Sequence, residues 1–289
     1  MQYFSSSFFA DADSSYEEAH YVIFGIPYDG TTSYISGTRD GPKAIREVSY
    51  NFETYIPEFD LDMTDIPVKD MGDLEPSSVP EMVVAEVESA VRDFLEDGKF
   101  PIMLGGEHSA TVGAVRAIKP DCYIVCDAHL DLRDEYGDTP YNHACATRRV
   151  LESGVSEIYI IGGRSGPRDE FDLAKEDERI HLYTSDEVRR LGISSVLKTI
   201  EERISGKKCY LSIDADAIDC CLTPGLGTPE PFGLTPLDIK EVVDVLGKYA
   251  SGFDYMEVCP IDAGQTAAVA SKIIREFIAV NRMSSEKKY

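Results

Sequence analysis

Basic residues are scarce in this chain. Its 289 residues include 28 Lys and Arg against 52 Asp and Glu, a formal net charge of −24. Binding a phosphate backbone requires basic patches, and none of any size is present, which argues against nucleic acid and anionic membrane surfaces as partners. Such a charge first of all confers solubility, and an acidic cleft also draws small cations. Long apolar runs are missing as well, since none approaches the roughly 18 residues of a membrane span. The opening stretch MQYFSSSFFADADSSYEEAH has neither a basic region nor a cleavable apolar core. No cysteine pair has zinc-finger spacing. The seven cysteines lie mostly in or beside apolar runs, as buried thiols in a reducing compartment do. The expectation is a cytoplasmic protein. Without a Ser/Gly/Pro-rich linker or a repeat, residues 1–289 read as a single domain, loose only at 1–18 and 283–289.

What the chain does have is alternation. Short runs rich in Val, Ile and Tyr recur at 21–26, 100–104, 122–126, 158–161, 209–213 and 253–258, with weaker ones at 181–184 and around Met71. They are too short for helices and apolar on both faces, like strands of a covered parallel sheet. Amphipathic stretches separate them at 41–55, 80–97, 109–118, 144–153, 184–191, 194–204, 235–249 and 265–282. Strand–helix alternation predicts an α/β fold with a mostly parallel sheet.

Ligands of such sheets bind at the carboxyl ends of the strands, and there the polar residues gather. The run ending at Leu104 continues Gly105-Gly106-Glu107-His108-Ser109. The run ending at Cys126 continues Asp127-Ala128-His129-Leu130-Asp131. The run ending at Ile213 continues Asp214-Ala215-Asp216, and Glu257 follows Met256. On extended backbone, residues two apart share a side, which puts Asp127 with His129 and Asp131, and Asp214 with Asp216. Carboxylates crowded at buried strand ends repel one another and lose hydration. No Lys lies in these segments, so a divalent metal is the simplest counter-charge. The mixed oxygen and nitrogen set suits Mn²⁺. It is large enough for two ions, with Asp127 and Asp214 as bridges.

These segments resemble the signatures of the ureohydrolase (arginase–agmatinase) family. The likeness extends through Thr223-Pro224-Gly225-Leu226-Gly227-Thr228-Pro229-Glu230 and Asp254-Tyr255-Met256-Glu257-Val258. An earlier segment, Ser36-Gly37-Thr38-Arg39-Asp40-Gly41-Pro42-Lys43-Ala44-Ile45-Arg46, belongs to it too. The resemblance implies a three-layer α/β/α fold with a parallel eight-stranded sheet. It also implies two Mn²⁺ ions, one held by His108, Asp127, Asp131 and Asp214, the other by His129, Asp127, Asp214 and Asp216. Ni²⁺, Co²⁺ or Zn²⁺ suit similar ligands. A homo-oligomer, trimer or hexamer, is implied in the same way. The chain departs from the family at Cys220, Phe232, Ala144 and Cys259, none of them an inferred ligand.

The implied reaction is hydrolysis of a guanidinium group to urea and an amine. Asp131 would hold the attacking water as well as a metal, and Glu257 would bind the guanidinium, with help from Thr228. His143 would carry the proton to the leaving amine, its ordinary pKa near 6.5 being suited to that exchange. The run after Asp131 continues Leu132-Arg133-Asp134-Glu135-Tyr136, without the Asn and Ser-Gly-Asn that bind an amino-acid head group in arginases. A small cationic guanidine, agmatine, is therefore the expected substrate. Arginine, guanidinobutyrate or an aminopropyl-agmatine are alternatives, as is a non-catalytic metal-binding subunit.

Overall fold

A computed structural model describes residues 8–286. The described residues form ten strands: Tyr21–Ile26 (β1), Tyr55–Ile56 (β2), Leu61–Asp62 (β3), Val68–Asp73 (β4), Phe100–Gly105 (β5), Cys122–Cys126 (β6), Glu157–Gly163 (β7), Ile180–Thr184 (β8), Cys209–Asp214 (β9) and Ala250–Met256 (β10). Eight of them make one sheet in the order β4-β1-β5-β10-β9-β6-β7-β8, and all of its pairings are parallel. The expected covered sheet is present. β1, β6 and β9 are buried along their whole length because helices lie over both faces.

The helices are Gly41–Ser49 (α1), Pro80–Glu96 (α2), Thr111–Ile118 (α3), Ala146–Glu152 (α4), Arg168–Glu176 (α5), Ser185–Leu191 (α6), Ile193–Ile204 (α7), Pro236–Leu246 (α8) and Gln265–Glu286 (α9). Their apolar faces sort into two cores. Ile45 of α1, Val188 of α6, Ile200 of α7, Val242 of α8 and Phe277 of α9 pack on one side of the sheet. Val87 of α2, Val115 of α3, Val150 of α4 and Ala174 of α5 pack on the other. The result is the three-layer α/β/α arrangement.

Several local expectations change. The helix anticipated over 41–55 stops at Ser49, and Tyr55 pairs with Asp62 in the antiparallel hairpin β2–β3. Helix α5 was not anticipated, although Pro167 and the acidic first turn of Asp169 and Glu170 mark its start. Of the termini expected to be loose, residues 1–7 and 287–289 lie outside the described residues, and parts of the remainder make ordered contacts. Phe9 is buried, and its N–H donates to Asp70 Oδ2 at 2.7 Å. Asp13 forms an isolated antiparallel β-bridge with Lys69 through the backbone. Residues 283–286 extend α9. All seven cysteines are free, and Cys221 is exposed.

Candidate active site

The carboxyl ends of β5, β6, β9 and β10 are central neighbours in the sheet, so the residues that follow them meet. Gly106 lets the chain turn there, since a Cβ would lie 2.1 Å from the Tyr28 carbonyl oxygen. His108 follows in a 3₁₀ turn, 1% exposed. Its Nδ1 is 3.0 Å from Asp214 Oδ2, 3.2 Å from Asp127 Oδ2 and 3.7 Å from Asp131 Oδ2. His129 Nδ1 is 2.9 Å from Asp216 Oδ2 and 3.7 Å from Asp127 Oδ1. Two ligand groups emerge, His108–Asp127–Asp131 and Asp127–His129–Asp216, and Asp127 belongs to both.

The residues meet for a different reason than alternation along extended backbone. Asp131 has φ 52°, a left-handed conformation unusual for a residue with a side chain. Asp216 lies in a 3₁₀ turn, its N–H donating to Asp214 Oδ1 at 2.9 Å. Asp216 Oδ1 accepts the Ala128 N–H at 3.0 Å, which ties the β9 loop to the β6 loop.

The electrostatics favour a cation. Ser212 Oγ donates to Asp254 Oδ1 at 2.5 Å, so at 2.9 Å from His108 Nε2 it accepts that atom's proton. This leaves Nδ1 of the neutral ring a bare lone pair aimed at carboxylates. His108 Nδ1 and Asp127 Oδ2 are buried without hydrogen-bond partners. Keeping all four carboxylates ionised would leave two negative charges uncompensated even with both imidazoles protonated, a deficit that a divalent cation offsets. The nearby Arg164 spends its N–H groups on backbone carbonyls of Asp216, Glu230 and Pro231. Burial, and then neighbouring carboxylates, push the Asp131 and Asp214 carboxyls well up. Asp216 is also pushed up by burial, but His129 outweighs this and holds it low. The donor set therefore fits divalent metal.

Glu257 and His143 complete the centre. Glu257 Oε1 accepts the His108 N–H at 2.8 Å and is 3.8 Å from His143 Nδ1. Glu257 has φ 63°, a costly conformation of the kind concentrated at functional sites. Burial lowers the His143 pKa, but Glu257, and then Asp131, raise it to about 9. The ligands, His143, Glu257 and Thr228 line one cavity of about 300 Å³, apart from Asp127 beneath it. His20 and His181 do not line it; His181 packs on Tyr159 instead.

Sequence reasoning missed the supports. Glu230 Oε1 is 3.5 Å from His129 Nε2 and orients that ring. Thr31 Oγ1 donates to Glu107 Oε1 at 2.6 Å and accepts the His143 N–H at 3.0 Å. Glu170, also missed, lines the cavity beside Arg133. Glu107 and Glu230 stand inside quoted motifs, but only the fold shows what they touch.

Parallel α/β layers with an acidic, two-imidazole centre at the strand ends define a metallohydrolase class. Residues 19–279 match the arginase family, and the chain belongs to it, as a hydrolase of guanidino compounds. It is 41% identical to the N(1)-aminopropylagmatine ureohydrolase of Thermococcus kodakarensis, over 93% of this chain and 92% of that protein. It is 39% identical to the agmatinase of Pyrococcus horikoshii, over 89% and 90%. The crystal structure of agmatine ureohydrolase of Thermoplasma volcanium superposes with a TM-score of 0.91 at 40% identity, covering 99% of this chain and 97% of that one.

Proposed function

We propose that the enzyme hydrolyses agmatine to putrescine and urea, with two Mn²⁺ ions as cofactors. His108, Asp127, Asp131 and Asp214 would hold one ion, and His129, Asp127, Asp214 and Asp216 the other. The carrying observation is Arg133. Among the described residues it is the single Lys or Arg on the cavity wall, and it is already paired with Glu170, Nε to Oε1 at 3.3 Å. An α-carboxylate would find no free Lys or Arg there, whereas a second positive charge suits the acidic wall.

The two ions, when bound, supply Lewis acidity and a nucleophile at neutral pH. Glu257 binds the guanidinium and sets its angle, its carboxylate anchored by the His108 N–H. Thr228 adds a hydrogen bond to the same group. Asp131 accepts a hydrogen bond from the attacking water. His143, with its raised pKa, holds a proton at neutral pH and delivers it to the leaving amine. Its Nε2 is buried without a partner, so that is the atom to carry the transfer.

The Thermococcus relative's name makes N(1)-aminopropylagmatine the second reading, a longer cation with the same guanidine. Urea release from agmatine, aminopropyl-agmatine, arginine and guanidinobutyrate by the Mn²⁺-loaded protein tests both, and agmatine should be fastest. The reading includes a cytoplasmic homo-oligomer, trimer or hexamer, which light scattering tests. Among the described residues no helix is long and apolar enough to cross a membrane.

A further inference from the structure

Two of the seven cysteines are neighbours in the chain and lie beside a carboxylate. Ligand atoms of Asp219, Cys220 and Cys221 are all within 4.8 Å of one another. On extended backbone, adjacent side chains face opposite ways. Here the chain turns instead, because the Leu222 and Thr223 N–H groups both donate to the Asp219 carbonyl oxygen, at 2.8 and 3.2 Å. The Asp219 carboxylate is held from both sides. Its Oδ1 accepts the Cys221 N–H at 2.8 Å, and its Oδ2 accepts the Gly233 N–H at 3.1 Å. Burial raises the Asp219 carboxyl, but hydrogen bonds from Cys221 and then from Gly233 outweigh this and hold it low. It is thus an ionised, oriented ligand whose oxygens keep further lone pairs. Cys220 is half-buried and Cys221 exposed, so the pair has protein behind it and an open approach from water. None of the three lines the cavity of the metal centre. The net charge of −24 draws cations to such a mouth.

We propose that Cys220, Cys221 and Asp219 form a separate cation site that takes one thiophilic divalent ion of the zinc class. Two thiolates select soft ions such as Zn²⁺ over Mn²⁺, which suits harder ligands, so the two sites sort metals by softness. Binding forms two metal–sulfur bonds and one metal–oxygen bond, and the two thiol protons leave to water. A fourth, tetrahedral position is left to water as well, which marks an exchangeable ion rather than a closed structural one. The ion also closes the base of a loop. The Cys220 N–H donates to the Glu230 carbonyl oxygen at 3.2 Å, and the Asp219 N–H donates to the Leu234 carbonyl oxygen at 2.9 Å. Glu230 is the residue beside His129. Occupancy of this site therefore stiffens the loop that supports a ligand of the metal centre.

The test titrates Co²⁺, a spectroscopic stand-in for Zn²⁺, into the reduced, Mn²⁺-loaded full chain in the absence of small thiols. It reads the near-ultraviolet thiolate-to-cobalt charge-transfer band, which oxygen and imidazole ligands do not give. Wild type should develop this band and saturate it at one ion per chain. Added Zn²⁺ should displace the cobalt and remove the band, whereas excess Mn²⁺ should leave it. Cys221→Ser and Asp219→Asn should each weaken this binding by at least about tenfold, since even outer partners of a metal are worth about 10–100-fold. No band in wild type would overturn the proposal. So would a band that Mn²⁺ removes, or one that persists unchanged in Cys221→Ser and so comes from other thiolates. If Asp219→Asn does not fold, Cys221→Ser decides, because Cys221 is exposed and its sulfur supports no core packing. Amide hydrogen exchange across residues 219–234 reads the stiffening. Zn²⁺ should slow exchange there in wild type but not in Cys221→Ser, and equal exchange with and without Zn²⁺ would overturn the link to Glu230.

Discussion

The backbone N–H of His108 donates to Glu257 Oε1 at 2.8 Å, so the carboxylate assigned to the guanidinium is anchored on the residue assigned to a metal. The reach is 149 residues along the chain, closed by the pairing of β5 with β10. Substrate and metal positions are therefore mechanically linked, and the strained backbone at Glu257 is kept by that link.

Asp127 offers one oxygen to each imidazole. Asp127→Asn should lose at least one of two bound ions per chain. Activity should fall by about a thousandfold or more, in keeping with the loss of metal-assisted charge stabilisation. Elemental analysis with parallel urea assays checks this, and full metal content with full turnover would refute the bridge.

His143 lies outside both ligand groups. His143→Gln should lower turnover by about 10²–10⁴-fold, the usual worth of a positioned acid or base, with metal content near wild type. Loss of metal in this variant would make His143 a ligand.

Glu230 touches His129 from the side away from the ligand carboxylates. Glu230→Gln should weaken metal affinity by about 10–100-fold, as loss of an outer partner does. Competition with a fluorescent chelator measures it; unchanged affinity would show that the ring is oriented by Asp216 alone.

Metal-free protein should lose stability as pH rises. The Asp131 and Asp214 carboxyls titrate well above their ordinary 3.8 when folded, so the folded state binds more protons between 3.8 and the raised values, and stability declines across that window. His108 and His129, raised above 6.5, act with the same sign: their contribution is complete below 6.5 and is lost as pH passes the folded values. Asp216 opposes them, its depressed carboxyl contributing stability above 3.8 that is lost on acidification. Excess Mn²⁺ should reverse the trend, because it binds the deprotonated ligands, and add about 2.7 kcal/mol at a hundred times its Kd. Thermal melts with and without chelator across pH 4–9 check both signs.

Agmatine should exceed arginine in kcat/KM by at least about a hundredfold, a difference of only ~2.7 kcal/mol, because Arg133 is engaged by Glu170. Comparable values at equal ionic strength would overturn the agmatine assignment and leave the guanidine chemistry in place.

The sequence alone determined the eight sheet strands and the acidic and imidazole residues after them, because period, run length and residue chemistry are local properties. It also suggested Asp127 and Asp214 as bridges, since each opens its cluster; of the two, Asp127 is the one shared by both ligand groups. Tertiary structure decided what those residues touch. The left-handed backbone at Asp131 and Glu257 and the turn at Asp216 have no local signature, being imposed by contacts between loops from different strands. The pairing of Ser212 with Asp254 and His108, which bares the His108 Nδ1 lone pair, spans β9, β10 and the β5 loop. Glu170 sits on a nine-residue helix too short for its apolar period to stand out locally, and its contact with Arg133 joins residues 37 apart. Such contacts depend on strand order, which alternation alone leaves open because many orders bury the same apolar runs.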